Sequence, residues 1–238
     1  MIFRRKAKDE RPATGESQGE PAASSGGNDT DVDPAPELEE LETERPNGPW
    51  DRSETDADTD GEGYLDLGGL IVKGGPGLEL RLQVDEQAQT VAAVMLAGPE
   101  SGLELRAFAA PRREGIWDEV RGDIAAEASK HGGTATELDG EFGTELKVVV
   151  PVQTPDGKRA TQTSRIVGVD GPRWLLRGTF LGKSAVDPDP EGVVEQAFRD
   201  VIVVRGDGPM APRDMIAMTM PEQVEPVSSE TDQESSDD

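Results

Sequence analysis

Two arginines, a tryptophan and a phenylalanine fall within one short stretch, GVDGPRWLLRGTF, from Gly168 to Phe180. Cations and rings on one exposed surface would make a stacking platform for single-stranded nucleic acid, whereas cations alone would seat a phosphate or another anion. The two-residue period of a strand decides between these chemistries. It puts Trp174, Leu176, Gly178 and Phe180 on one face and Arg173, Leu175, Arg177 and Thr179 on the other. The rings share a side with leucine, as core residues do, and the arginines point away from them. Arg173 and Arg177 are therefore the candidate contact residues of this motif, on an outer face suited to an anion or to acidic groups of a partner.

Other reactive groups are few. His131 is the only histidine, so a Ser-His-Asp triad or a zinc site with a histidine ligand would have to use it. Its place at the end of a helical pattern, before Gly132 and Gly133, suits a cap instead. Asp118 and Glu119 open the same pattern, where the helix dipole favours negative charge, and nothing in the sequence converges on them as a second acid would. The stretches GGPG at 74–77 and GDGPM at 206–210 match neither a dinucleotide fingerprint nor a phosphate loop. No cysteine occurs, which removes disulfides, thiolate nucleophiles and cysteine metal sites. No catalytic residue, metal ligand set or cofactor is predicted, and a non-enzymatic protein is expected.

One further residue asks for a partner. Trp50, in GPWDRSE at 48–54, stands alone in an acidic stretch. Its spacing predicts a short docking element that binds either the chain's own domain or another protein.

The elements that must position these residues lie in the middle of the chain. Residues 1–63 hold 18 acidic and 7 basic side chains, and residues 221–238 hold 7 acidic and none basic, within a chain of 238 residues and net charge −25. Such ends bury too little apolar surface to offset the entropy of ordering, so both are expected to be disordered. Residues 64–220 keep most of the aromatic side chains and suffice for one globular domain. A sequence pI near 4.3 argues against direct nucleic-acid binding, which draws its affinity from Lys and Arg. The basic start Arg4, Arg5 and Lys6 has no apolar run behind it, so it is no secretory signal, and at most a weak contact with an anionic membrane surface is expected of it. A cytoplasmic protein without a transmembrane segment is expected.

Within 64–220, period-two patterns predict strands at Leu78–Val84, Val91–Ala97 and Leu103–Phe108, with a lead-in strand between Leu65 and Val72. Ile116, Trp117, Val120, Ile124, Ala125 and Ala128 recur at helical spacing and predict a helix from Gly115 to His131. Strands return at Thr144–Val150, Thr161–Val169 and Arg173–Leu181, with Asp170–Pro172 as a turn. Asp189 as N-cap and Pro190 after it predict a second helix, followed by a strand from Ile202. The fold class read from this order is α+β: a single antiparallel sheet with both helices packed on one face.

The blocks GPWDRSE, LDLGGLIV, GLELRLQVDE, RAFAAPRREGIWDEVR, FGTELKVVVP, GVDGPRWLLRGTF and FRDVIVVRGDGPMAPRD, from Gly48 to about Asp214, resemble an uncharacterised actinobacterial family of cytosolic proteins, a domain of unknown function. That resemblance implies no activity for any residue. In shape alone the order is similar to the Mog1/PsbP-like α/β/α sandwiches, whose members mostly bind proteins or act as accessory factors. The leading expectation is a protein-binding or accessory domain that uses Trp50, Arg173 and Arg177. A small-molecule or anion-binding regulatory factor working through an open sheet face is the second, and an enzyme of unknown class the third.

Overall fold

The computed structural model describes residues 45–59, 61, 63–85 and 90–220. The basic start Arg4, Arg5 and Lys6 and the acidic C-terminal segment lie outside the described residues.

Seven strands form one antiparallel sheet: β4 (Glu79–Asp85), β5 (Thr90–Ala97), β6 (Ser101–Ala109), β7 (Thr134–Gly140), β8 (Gly143–Gln153), β9 (Arg159–Gly171) and β10 (Trp174–Gly182). Their order is β4-β5-β6-β10-β9-β8-β7. Two meanders, β4 to β6 and β7 to β10, therefore meet edge to edge along β6 and β10. The connection from β6 to the far edge strand β7 is α1 (Trp117–Lys130), which packs across β9, β8 and β7.

Four short strands, β1 (Trp50–Asp51), β2 (Tyr64–Asp66), β3 (Leu70–Lys73) and β11 (Ile202–Val203), make a second sheet in the order β1-β11-β3-β2. The expectation of a single sheet is corrected here. Leu70, Ile71, Val72, Ile202 and Val203 are all buried, so the central pair β3 and β11 is apolar on both faces and forms a covered layer rather than an extension of a half-exposed sheet.

The two helices lie on opposite faces of the seven-stranded sheet, not on one. The inner face, with Leu103, Leu105, Val167, Trp174, Leu176 and Phe180, packs on the second sheet and on α2 (Val193–Arg199). The outer face gives Leu146, Val148, Ile166 and Leu175 to Ile116, Trp117 and Ala128 of the α1 segment. Two glycines of the 168–180 stretch make room for the two helices. A β-carbon on Gly178 would crowd the ring of Phe198 from α2, and one on Gly168 would overlap the ring of Trp117 from α1.

Three boundaries differ from the sequence reading. Arg173 has φ 63° and forms the two-residue turn with Pro172, so β10 begins at Trp174. The second helix starts at Val193 after Gly192, because the Asp189 carboxylate accepts from the Glu191 N–H (3.0 Å) and closes a local turn instead of capping the helix. Strand β8 runs on through Pro151, which is tolerated because β7 pairs with β8 only as far as Val149.

One polar cluster is enclosed by these layers. Arg165 on β9 donates to Glu145 on β8 (3.1 Å), to Glu195 on α2 (2.9 Å) and to the Ser184 carbonyl (2.9 Å), and all four residues are buried. Its guanidinium also stacks 3.9 Å from the Phe180 ring centroid. Burial pushes the Glu195 carboxyl above its ordinary range, with Arg165 opposing that shift.

Candidate functional site

The path of α1 creates the most suggestive concave surface. Because the helix crosses β9, β8 and β7, it leaves the β4-β5-β6 side of the outer face open, and the outward Glu79, Arg81 and Gln83 of β4 are exposed. A groove of about 370 Å³ runs between the helix and the sheet. Ile116, Val120 and Ile124 line it from the α1 side, Phe108 from β6 and Arg177 from β10. Met215 is bridged to Phe108 in antiparallel register, which places it on the same face, and it is 44% exposed.

Arg177 is the one strand cation in this lining. Its guanidinium carbon lies 5.5 Å from the Phe108 ring centroid, and its nearest carboxylate, Glu104, stands 3.9 Å away. Its Nε is buried without a hydrogen-bond partner among the described residues. Arg106 stands directly opposite Arg177 across the β6-β10 ladder, an arrangement that costs free energy between like charges. Arg106 takes the better share of Glu104, at 2.9 Å. Burial, and then the charge of Arg106, hold Arg177 below its ordinary pKa, against the pull of Glu104.

The remaining charges at the rim have partners of their own. Arg213, with φ 73°, pairs with Glu119 (2.8 Å) and Asp123 (2.9 Å), and Glu127 pairs with Lys130 (3.1 Å). Beyond Arg213 lies a larger hollow of about 550 Å³ lined by Glu114, Asp118, Glu119 and Asp170. There Asp170 accepts from the backbone N–H of Ile116 (2.9 Å) and of Trp117 (3.2 Å), which supplies the cap that Ile116 cannot give. Burial raises the Asp170 pKa and these two hydrogen bonds work against it.

The three candidate contact residues are not brought together. Trp50 pairs with Ile202 in parallel register, its N–H donating to the Val201 carbonyl at 2.9 Å, so the 48–54 element lies on the chain's own domain. Its neighbour Asp51 accepts from the buried Trp174 indole N–H at 2.7 Å, and Arg45 lies over the Trp174 ring. Arg173 sits in the hairpin turn, where its carbonyl accepts from Ala110. Only Arg177 lines the groove. His131 is exposed at the C-terminal end of α1, with Nδ1 3.0 Å from the Glu127 carbonyl, away from these residues. The sequence reading did not single out Arg213, whose signal is slight: APRD at 211–214 repeats the Ala-Pro-Arg of 110–112, and each segment borders the hollow.

Fold and groove together define an α+β domain with an apolar, cation-bearing cleft on its outer sheet face. The chain belongs to the family described as protein of unknown function DUF3710, whose model matches residues 48–226. The match opens at Gly48, where the segment that carries Trp50 joins the second sheet. No curated protein matches the chain. Among the described residues no helix is long and apolar enough to cross a membrane.

Proposed function

We propose that the chain is a non-enzymatic accessory domain that works by binding, and that its binding surface is the groove between α1 and the outer face of β6 and β10. The observation that carries this reading is Arg177: a cation whose buried Nε has no partner among the described residues, set beside Phe108 in a cleft with Ile116, Val120 and Ile124 as its apolar lining and Asp123, Glu127 and Arg213 as its other charged groups. An apolar cleft with a few placed polar groups is the usual form of a ligand site, and about 370 Å³ falls at the low end of the range for small ligands. Recognition of a protein partner on the same face is the second reading. It is favoured by the exposed Met215 and by the alternating charges of Glu79, Arg81, Glu104 and Arg106 elsewhere on the same outer sheet face.

Methyl-resolved NMR of the full chain, titrated with small neutral fragments such as indole and cyclohexanol, tests the location. The expected result is a set of shifts concentrated on Ile116, Val120 and Ile124. Shifts scattered over the surface, or centred on the second sheet, would contradict it.

A further inference from the structure

We infer that the groove is selective for an amphipathic monocarboxylate, with the apolar body against Phe108, Val120 and Ile124 and the carboxylate on Arg177. This deepens the groove reading above and rests on it. Three observations point to the charge of the ligand. Arg177 carries a buried Nε with no acceptor among the described residues, although a guanidinium N–H in such a place ordinarily has one. Arg106 and Arg177 face each other directly across two strands and have one near carboxylate, Glu104, between them. The strand residues alone therefore carry one positive charge over, while the acidic groups that α1 brings to the groove, Asp123 and Glu127, are already held by Arg213 and Lys130.

The size of that surplus sets the class. A monoanion neutralises it. A dianionic phosphate would leave a negative charge beside Asp123 and Glu127, which also line the groove, and beyond Arg213 it would meet the carboxylates of the neighbouring hollow. A cation would be repelled by the facing arginines. A neutral apolar molecule would fill the cleft and leave the Arg177 Nε as it is. The planar fork of arginine matches the two oxygens of a carboxylate. The apolar lining needs more than acetate can fill, so the body of the ligand must be a medium-length alkyl chain or an aromatic ring.

The test compares octanoate with octanol on the full-length protein, reading the methyl signals of Ile116, Val120 and Ile124 and fitting a dissociation constant for each. A hydrogen-bonded charge contact predicts octanoate to bind at least roughly ten-fold more tightly than octanol. Arg177→Met, checked for folding by its circular dichroism spectrum, should bring the two constants together, and Arg177→Lys should restore part of the difference. Arg106→Gln, which leaves Arg177 and Glu104 as a balanced pair, should also reduce the preference, and it serves if Arg177→Met does not fold. Equal binding of both probes in the groove overturns the carboxylate assignment and leaves the groove reading standing. Failure of both probes to move these methyls overturns the two together. Tighter binding of octyl phosphate than of octanoate would contradict the charge argument.

Discussion

At the scale of single residues, stability and chemistry are carried by groups whose partners lie far away in sequence. Asp51 accepts from the indole N–H of Trp174, a side chain with no exposed surface. Asp51→Ala should cost about 1–3 kcal/mol, because it leaves a buried donor unsatisfied, and a shifted urea midpoint with an unchanged slope would show it. Glu195 gives a pH signature. Its folded-state pKa lies above its ordinary value, so its contribution is greatest in acid, where it is protonated in both states, and is lost as pH rises through the raised value. Glu195→Gln should flatten that falling limb, while Arg165 keeps a one-to-one pair with Glu145. Urea midpoints measured from weakly acidic to neutral pH check this, and parallel curves for the two proteins would contradict it.

At the scale of elements, the position of α1 decides where the groove opens. Its first turn is held by Asp170, a β9 residue, and its Trp117 lies against Gly168, with the indole N–H donating to the Thr144 carbonyl at 2.7 Å. Asp170→Ala should destabilise the domain by about 1–2 kcal/mol and loosen the N-terminal half of α1 first, which amide hydrogen exchange would show as faster exchange at residues 118–122 than at 126–130. The helix itself was legible in the sequence: the 3.6-residue recurrence from Ile116 to Ala128 gave its extent to within two residues. So was the division of the 168–180 stretch into core and outer faces, since Trp174, Leu176 and Phe180 are wholly buried on the inner side. Which face of the sheet each helix covers was not legible, because periodicity tells which side of an element is buried and not what covers it. Strand β7, TATELDG, was missed because it is an edge strand with nearly every side chain exposed and so lacks an apolar alternation. That Arg173 belongs to the turn and not to the strand was not legible, because proline at the first centre suits turns with either a right-handed or a left-handed second centre, and the left-handed one found here is filled by an arginine rather than by the glycine that would have signalled it.

At the scale of the whole molecule, two layers with separate cores divide the work. The inner core joins the second sheet and α2 to the seven-stranded sheet, and the outer, smaller core fixes α1 and with it one wall of the groove. The second sheet draws its first strand from Trp50–Asp51, which lies before the Tyr64 boundary read from composition. A fragment beginning at Tyr64 should therefore be less stable than one beginning at Arg45, since it loses both the edge strand on β11 and the acceptor for Trp174. Thermal unfolding of the two fragments checks this, and equal midpoints would contradict it. The separation of the two cores also means that loss of the 45–54 segment should leave octanoate binding at the groove largely unchanged in any fragment that still folds.

Whether the groove beside α1 is a binding site can be decided inside the cell. A photo-reactive side chain placed at Val120, with Asp139 on the exposed edge strand β7 as control, would trap whatever occupies each place, and the mass of the adduct would tell a small carboxylate from a protein. A ligand held in the groove should give a small-molecule adduct from position 120 that is absent from position 139 and is lost with Arg177→Met. The same adducts from both positions, or an adduct at 120 indifferent to Arg177, would contradict it.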